Sequence, residues 1–370
     1  MESKVMDLKQ RIIKYSHKIG IDLIGFTSAE PFEELREVLE HRKNLGLLSS
    51  FEEEEIKKRI DPALTMKKAK SIIAVGQSYY YTEEDNKHKY YGELARTAWG
   101  KDYHIVLHEK LEALAGYIKT IDKTFQYMSF VDTGPLVDRQ VAYRAGLGWY
   151  GFNTTLINET YGSWFFIGYM LTNLQIEPDK PVDSKCKGCN LCIENCPGGA
   201  ILKPYTINPH RCISNILQGK EDIPPDKRSI LEKRIYGCDE CQLICPHNKT
   251  AKPMTGKDFI PNELDSKLDL IKLLFISNKE FKEKFKANAS GWRGKRVLQR
   301  NAIIALVNHG DSDVVHYLEK LLKDSRPEIK RYALWGITKL NRIRGLELAE
   351  KIYKTETDSK TKKYIEQELL

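Results

Sequence analysis

The chain has 370 residues, 41% hydrophobic and 10% aromatic, enough for two or three domains with substantial cores. No apolar run approaches the roughly 18–20 residues of a membrane span, and the opening MESKVMDLKQ has neither the basic-then-apolar build of a secretory leader nor a twin-arginine motif. A cytoplasmic protein without a membrane partner is therefore expected. The net charge of +8 is uneven: residues 281–370 hold 20 Lys and Arg against 12 Asp and Glu, while residues 1–280 hold 39 of each. A basic module on a neutral body suits a polyanionic partner such as nucleic acid, or else a solvated basic face.

In chain order, an amphipathic helix is predicted over 3–18, ending at Gly20, with a strand over 22–27. Further strands are predicted within 71–81, over 126–131 and over 164–171, the last after the turn pair Gly162-Ser163. Helices are predicted between them at 103–118 and 136–144, the second closed by Gly146. Strands alternating with helices predict an α/β domain over 1–175. A proline-bearing linker follows at 176–183, and the cysteine region runs to residue 255. From 256 to 370 the pattern is helical. Arg300-Asn301-Ala302-Ile303-Ile304-Ala305-Leu306 matches Arg331-Tyr332-Ala333-Leu334-Trp335-Gly336-Ile337 at an offset of 31, with breaks at Gly310-Asp311 and before Pro327. That period predicts a short HEAT-like helical array. The expected class is a multidomain α+β protein: an α/β domain, a ferredoxin-like module over 176–255 and helical repeats over 256–370.

All eight cysteines fall between residues 186 and 245. In a cytosolic protein, clustered cysteines indicate metal or redox chemistry rather than disulfides. They read Cys186-x-x-Cys189-x-x-Cys192-x-x-x-Cys196-Pro197, then Cys212, then Cys238-x-x-Cys241-x-x-x-Cys245-Pro246. A four-iron cluster needs four thiolates; three at two-residue intervals wrap one corner, and the fourth, before proline, arrives from the other run. Cys186, Cys189, Cys192 and Cys245 then hold one [4Fe-4S] cluster, and Cys196, Cys212, Cys238 and Cys241 the other. Two zinc sites of four cysteines each would use the same eight residues, although a triple CxxCxxC before Cys-Pro is unusual for zinc. Clusters pass single electrons, so a separate reaction centre is expected in the N-terminal domain, fed by an external low-potential electron donor.

Three further blocks accompany the cysteines: Trp99-Gly100-Lys101-Asp102-Tyr103-His104; Val131-Asp132-Thr133-Gly134-Pro135 through Arg139, with Arg144-Ala145-Gly146; and Ser290-Gly291-Trp292-Arg293-Gly294-Lys295, with Gln299-Arg300-Asn301-Ala302. In this order they resemble the epoxyqueuosine reductase family over essentially the whole chain. The resemblance implies a cobalamin-dependent oxidoreductase that reduces an epoxide on a modified wobble base of tRNA, the last step of queuosine biosynthesis. It implies a cobalamin domain similar to that of reductive dehalogenases, with cobalamin between it and the ferredoxin-like module. A helical C-terminal domain would grip the anticodon stem-loop. Asp132 would be the proton donor, which calls for a carboxyl kept protonated near neutral pH by desolvation; alone, it also reads as a helix N-cap. Tyr103 would lie near the reacting face of cobalt, or simply be a half-buried aromatic at a helix start. Arg59, Ala95, Leu156, Ile167, Ser214 and Asp239 would line the cofactor, though Arg59 in Lys57-Lys58-Arg59 otherwise reads as a solvated basic face. None of the nine histidines sits in Asp-x-His-x-x-Gly, so no histidine beneath cobalt is expected. Arg293, Lys295, Arg296 and Arg300, beside Trp292, would contact tRNA phosphates. A monomer is expected. Reductive dehalogenation and a non-catalytic electron-transfer role are the competing readings; the first lacks an export signal here, and the second needs neither Asp132 nor a basic module.

Overall fold

The computed structural model describes residues 7–82, 88–261, 264 and 266–368. Residues 3–6 of the first predicted helix lie outside them. Among the described residues no helix is long and apolar enough to cross a membrane. The chain separates into two compact units: Met1–Thr82, Lys101–Cys212 and Asp239–Ile260 form the first, and Glu83–Gly100, Ile213–Cys238 and Pro261–Leu370 the second. The predicted three-part division is thus redrawn. The cysteine region is not a unit of its own: most of it belongs with the N-terminal sheet, and the insertion 213–238 belongs with the C-terminal helices.

The first unit begins with α1 (Leu8–Lys18), capped by Asp7, whose side chain accepts from the Gln10 N–H. It continues through β1 (Leu23–Ser28), α2 (Arg36–Asn44), α3 (Ile56–Ile60) and β2 (Ser71–Ser78). The next strand, β3 (Tyr91–Leu94), belongs to the second unit. The first resumes with α4 (Tyr103–Ile121), β4 (Tyr127–Phe130), α5 (Asp138–Arg144), a short pair β5 (Trp149–Tyr150) and β6 (Leu156–Ile157), and β7 (Phe165–Thr172). The sheet order is β1-β2-β7-β4, and every pairing is antiparallel. This corrects the α/β expectation to α+β: alternation of strand and helix fixes the layers but not strand direction.

Side-chain alternation builds the two faces of that sheet. Phe26, Ile73, Val75, Phe166 and Met170 face one core with Ile12 of α1 and Val106, Leu107, Leu111, Leu114 and Ile118 of α4. Ile72, Ala74, Tyr169 and Leu171 face the other with Leu39 of α2, Ile60 of α3 and Val141 and Ala142 of α5. The α4 positions recur at three- and four-residue steps, which makes one buried stripe. Each such leucine or isoleucine contributes roughly 1.5–3 kcal/mol by leaving water. β4 stops at Phe130, opposite Tyr169, so β7 runs on unpaired by it from Gly168 to Phe165, and the chain leaves β4 there into Val131-Asp132.

In the second unit β3 lies between Arg234–Tyr236, parallel to it, and Lys267–Asp269, antiparallel. Helices Lys295–Asn308, Val315–Leu321, Pro327–Leu340, Arg342–Thr355 and Ser359–Glu368 follow. The two segments of the internal repeat fall in the first and third of these, and Pro327 occupies a first-turn position as predicted. Gly336 permits the close crossing: a Cβ there would lie 2.7 Å from Val307 and 2.9 Å from Leu318.

Candidate active site and cysteine cavity

Cys186, Cys189, Cys192 and Cys245 line one cavity of about 210 Å3, with Gly151, Phe152, Ile157, Leu191 and His247 among the other walls. The sequence paired these four across a gap of 52 residues, and the fold brings them together within the first unit. Gly188, at φ +66°, lets the chain turn between Cys186 and Cys189. The one-turn helix Leu191–Glu194 carries Cys192, and Cys245-Pro246 opens a 3-10 turn. Burial, with Cys186 and Cys245 adding to it, pushes the Cys192 thiol up to about 11. Burial also raises Cys186 and Cys245. Four cysteines converging on one largely apolar cavity are the soft donor set an iron–sulfur cluster requires.

A buried amide network, missed from sequence, holds the Cys245 loop against the sheet. Asn248 accepts from the Ser163 N–H at 2.7 Å through Oδ1, and its Nδ2 donates to Ser163 Oγ at 2.9 Å and to the Gln242 carbonyl at 2.7 Å. Ser163 Oγ donates to Gln242 Oε1 at 2.8 Å. Gly162 beside it cannot carry a side chain, since a Cβ would fall 2.1 Å from Asn248 Oδ1. The Ser163 turn was visible in the sequence, but its partners lie about 80 residues away. Of the other cysteines, Cys196 Sγ accepts from the Ala200 N–H at 3.2 Å, and the Cys241 carbonyl accepts from Asn153 at 3.2 Å.

The second assembly is at the start of α4 and the end of β4. Asp102 caps α4, accepting from the His104 backbone N–H at 2.9 Å and pairing with His104 Nδ1 at 2.7 Å. Tyr103, first in the helix, lies between two rings: Phe166 of β7 stacks at 4.3 Å and His104 at 4.1 Å. Its hydroxyl donates to Asp132 Oδ2 at 2.8 Å. His104 Nε2 stands 3.8 Å from the same oxygen. Asp132 sits at φ +59°, a left-handed conformation that costs a non-glycine residue roughly 1–2 kcal/mol, least for Asp and Asn. Its N–H is held by Asp138 Oδ2 at 3.0 Å.

Two expectations for Asp132 change. It is not a helix cap: α5 starts at Asp138, and its cap position is Val137. Nor is it desolvated, since 66% of its side chain is exposed, on a loop that has left the sheet. The raised carboxyl is its neighbour Asp138, pushed up to about 7 by burial first and then by the charge of Asp132. Burial pulls His104 down, but the hydrogen bond and charge of Asp102, with the charges of Asp132 and Asp138, hold it above the ordinary value.

The residues expected to line a cofactor divide between the units. In the first, Arg59 is 8% exposed and paired with Glu52 at 2.9 Å, so it is not the solvated basic face its neighbours suggested. Leu156 and Ile167 share one apolar cluster. Asp239, buried, precedes the turn Glu240–Leu243 and accepts from Gln242 at 3.3 Å. In the second, Ala95 is buried against Gly237, whose Cβ would lie 2.4 Å away, and Ser214 accepts from the Gln218 side chain.

Among the basic residues, Arg300 is corrected. It is 0% exposed and donates to the carbonyls of Glu221 at 2.7 Å and Leu217 at 3.4 Å, so it holds the 213–238 insertion and cannot reach a phosphate from there. The helix Lys295–Asn308 is buried from Val297 to Val307, which the match of its sequence to an amphipathic repeat concealed. Trp292 is half exposed, and its Nε1 donates to Gln218; Arg293 stacks on its ring at 4.5 Å. Lys295 reaches the Ile276 carbonyl, and Arg296 pairs with Glu328.

A thiol-lined cavity and a carboxylic acid set against a tyrosine and a histidine define an iron–sulfur protein with an acid loop. Residues 185–248 match the 4Fe-4S double cluster binding domain, and residues 59–133 match the family described as "Epoxyqueuosine reductase QueG, DUF1730". The epoxyqueuosine reductase of Bacillus subtilis is 41% identical over 98% of this chain and 95% of its own length; that of Listeria monocytogenes is 40% identical over 95% and 94%. Among solved structures, an epoxyqueuosine reductase with an epoxyqueuosine-modified tRNA-Tyr stem loop is 40% identical, with a TM-score of 0.94 over 97% of both chains. The Bacillus subtilis enzyme with its catalytic-aspartate loop swung out of the active site has a TM-score of 0.93 over 97% of both chains at 40% identity. The chain belongs to the epoxyqueuosine reductase family.

Proposed function

We propose that this chain reduces epoxyqueuosine to queuosine in tRNA, with Asp132 as the acid for the departing oxygen. The observation that carries this reading is the hydrogen bond from Tyr103 to Asp132, built in the same unit as a four-cysteine cavity. Removing the epoxide oxygen needs two electrons and two protons: the carbon–oxygen bonds break, a carbon–carbon double bond forms and water leaves. Electrons enter from an external low-potential donor. One [4Fe-4S] cluster is held by Cys186, Cys189, Cys192 and Cys245, and the other by Cys196, Cys212, Cys238 and Cys241. Asp132 holds a proton at Oδ1 or Oδ2, and the Tyr103 hydroxyl fixes the direction of Oδ2.

Cobalamin is the second cofactor of this proposal, and Arg59, Leu156, Ile167 and Asp239 are its proposed contacts in the first unit. The residues of the first unit fit such a guest: Arg59 is a buried guanidinium with five donors in a fixed fork, one directed to Glu52, and Leu156 and Ile167 offer an apolar rim. Bound, the group supplies a reduced metal centre able to deliver electrons to a carbon–oxygen bond. Arg293, Lys295 and Arg296, with Trp292, are the proposed tRNA contacts in the second unit; phosphate contacts there position the stem-loop, and a splayed wobble base is read elsewhere. A cytoplasmic monomer is proposed.

The test is anaerobic. The protein is loaded with iron, sulfide and cobalamin, given a low-potential reductant and epoxyqueuosine-bearing tRNA, and the nucleosides are weighed. Loss of one oxygen from the modified base is expected with wild type and not with Asp132→Asn. Full activity in that variant would remove the proton-donor role.

A further inference from the structure

The stoichiometry leaves a proton unassigned. Deoxygenation of an epoxide to an alkene takes two electrons and two protons and releases water. Asp132, protonated once, delivers one proton and is left as a carboxylate, so it must be reloaded before the oxygen departs. We propose that His104, held by Asp102, returns the second proton to Asp132 within each turnover. This rests on the functional reading above and extends it to a residue that does not itself touch the substrate.

The geometry is that of a relay. Asp102 fixes His104 Nδ1 at 2.7 Å, which turns Nε2 toward the loop, 3.8 Å from Asp132 Oδ2. The stack of Phe166, Tyr103 and His104 holds the imidazole in that plane. Because Asp132 is two-thirds exposed on a loop, a turn of its side chain of about 1 Å closes the gap to hydrogen-bond length; such contacts often tighten only with substrate in place. The transfer is balanced. The Nε2–H of imidazolium passes its proton to the Asp132 carboxylate, giving neutral imidazole and a carboxylic acid, and His104, one-third exposed, then takes a proton from solvent.

Electrostatics favours the charged donor. A cation in the first turn of a helix is opposed by the macrodipole. Here Asp102 from the cap and Asp132 from the β4–α5 loop face His104 and, with a smaller contribution from Asp138 at the start of α5, hold it above its ordinary range against the pull of burial. Tyr103 stacks on it, and Phe166 beyond brings no charge. A cap that served only α4 would need Asp102 to accept the backbone N–H, which it does; the additional bond to the ring is what the helix does not require.

Two measurements decide it. In the first, deoxygenation is followed against pH in wild type, His104→Ala and Asp102→Asn; both variants keep the cap, since the His104 N–H remains and Asn caps as well as Asp. His104→Ala should lose at least ~10-fold more rate at about pH 8 than at about pH 6, and added imidazole should restore it. Asp102→Asn should move the fall-off in rate to lower pH. A His104→Ala profile parallel to wild type, or no response to imidazole, overturns the relay. The second needs no turnover: the His104 imidazole is titrated by NMR in the cluster-loaded protein, its signal assigned by its absence in His104→Ala. Its midpoint should fall in Asp132→Asn and in Asp102→Asn. A midpoint unmoved by Asp132→Asn removes the relay whatever the activity, whereas an inactive wild type would remove the functional reading itself.

Discussion

Asp138→Asn isolates a carboxyl that the fold holds well above its ordinary value. In wild type, burial and the adjacent Asp132 charge raise Asp138 to about 7. Its Oδ2 accepts the Asp132 N–H, a bond that an Asn oxygen can also make. The fold therefore prefers the protonated acid. A carboxyl with a raised folded pKa contributes stability that is fully present below its unfolded value, near 4, and is lost as pH rises toward about 7. Integrating between about pH 5.5 and about pH 8 gives a loss of ~2 kcal/mol in wild type that Asn, which does not titrate, escapes. The difference in unfolding free energy between variant and wild type should thus move by ~2 kcal/mol in the variant's favour over that interval. Urea unfolding of both proteins, followed through the buried Trp149 and Trp164 of the same unit, measures it. Taking the difference at each pH cancels the titrating groups remote from Asp138; Asp132 and His104, which interact with it, remain in the difference. Parallel stability curves, or a gap that moves the other way, would refute the reasoning, because either means that the fold does not disfavour ionised Asp138.

Two further outcomes separate supporting residues from contacting ones. Cys189→Ala should lower bound iron from about eight to about four atoms per chain and leave the second cluster's absorption in place, measured by iron analysis and visible spectroscopy; retention of all the iron would break the proposed ligand set. Arg300→Met should destabilise the protein by ~2–4 kcal/mol, since the Glu221 carbonyl loses its buried donor, yet leave the salt dependence of tRNA binding unchanged. Arg293→Gln should instead reduce the salt slope by about one, so equal slopes in both variants would reject this surface.

What was legible in the sequence was what covalent spacing enforces. The Cys186, Cys189 and Cys192 run must curl around a common centre, and the helix predicted from residue 103 does start there. The pairing of that run with Cys245 was reached through the logic of crossed runs, and the shared cavity supports it. Strand direction was not legible, because the same alternation of strand and helix serves parallel and antiparallel sheets alike. Arg300 shows the limit best. Its segment carries an amphipathic pattern, so a charged residue there reads as exposed, but the partner that covers it is a stretch about 80 residues earlier, whose carbonyls no local pattern announces.

The same contrast orders the acid loop. Asp132 was legible as a motif, but its environment was not: it stands exposed on a loop that has left the sheet, not in a dry pocket. The fold places the carboxyl of Asp138 at the start of α5, where it fixes the Asp132 backbone, and the imidazole of His104, held above its ordinary value, beside it. On the proposed reading, Asp132 must reach a substrate, release a proton and recover another, and a donor at its side serves that cycle. The loop's exposure and the Asp102–His104 pair are then two parts of one arrangement. Lowering the pKa of His104 should slow turnover most at the pH where solvent is the poorest proton source.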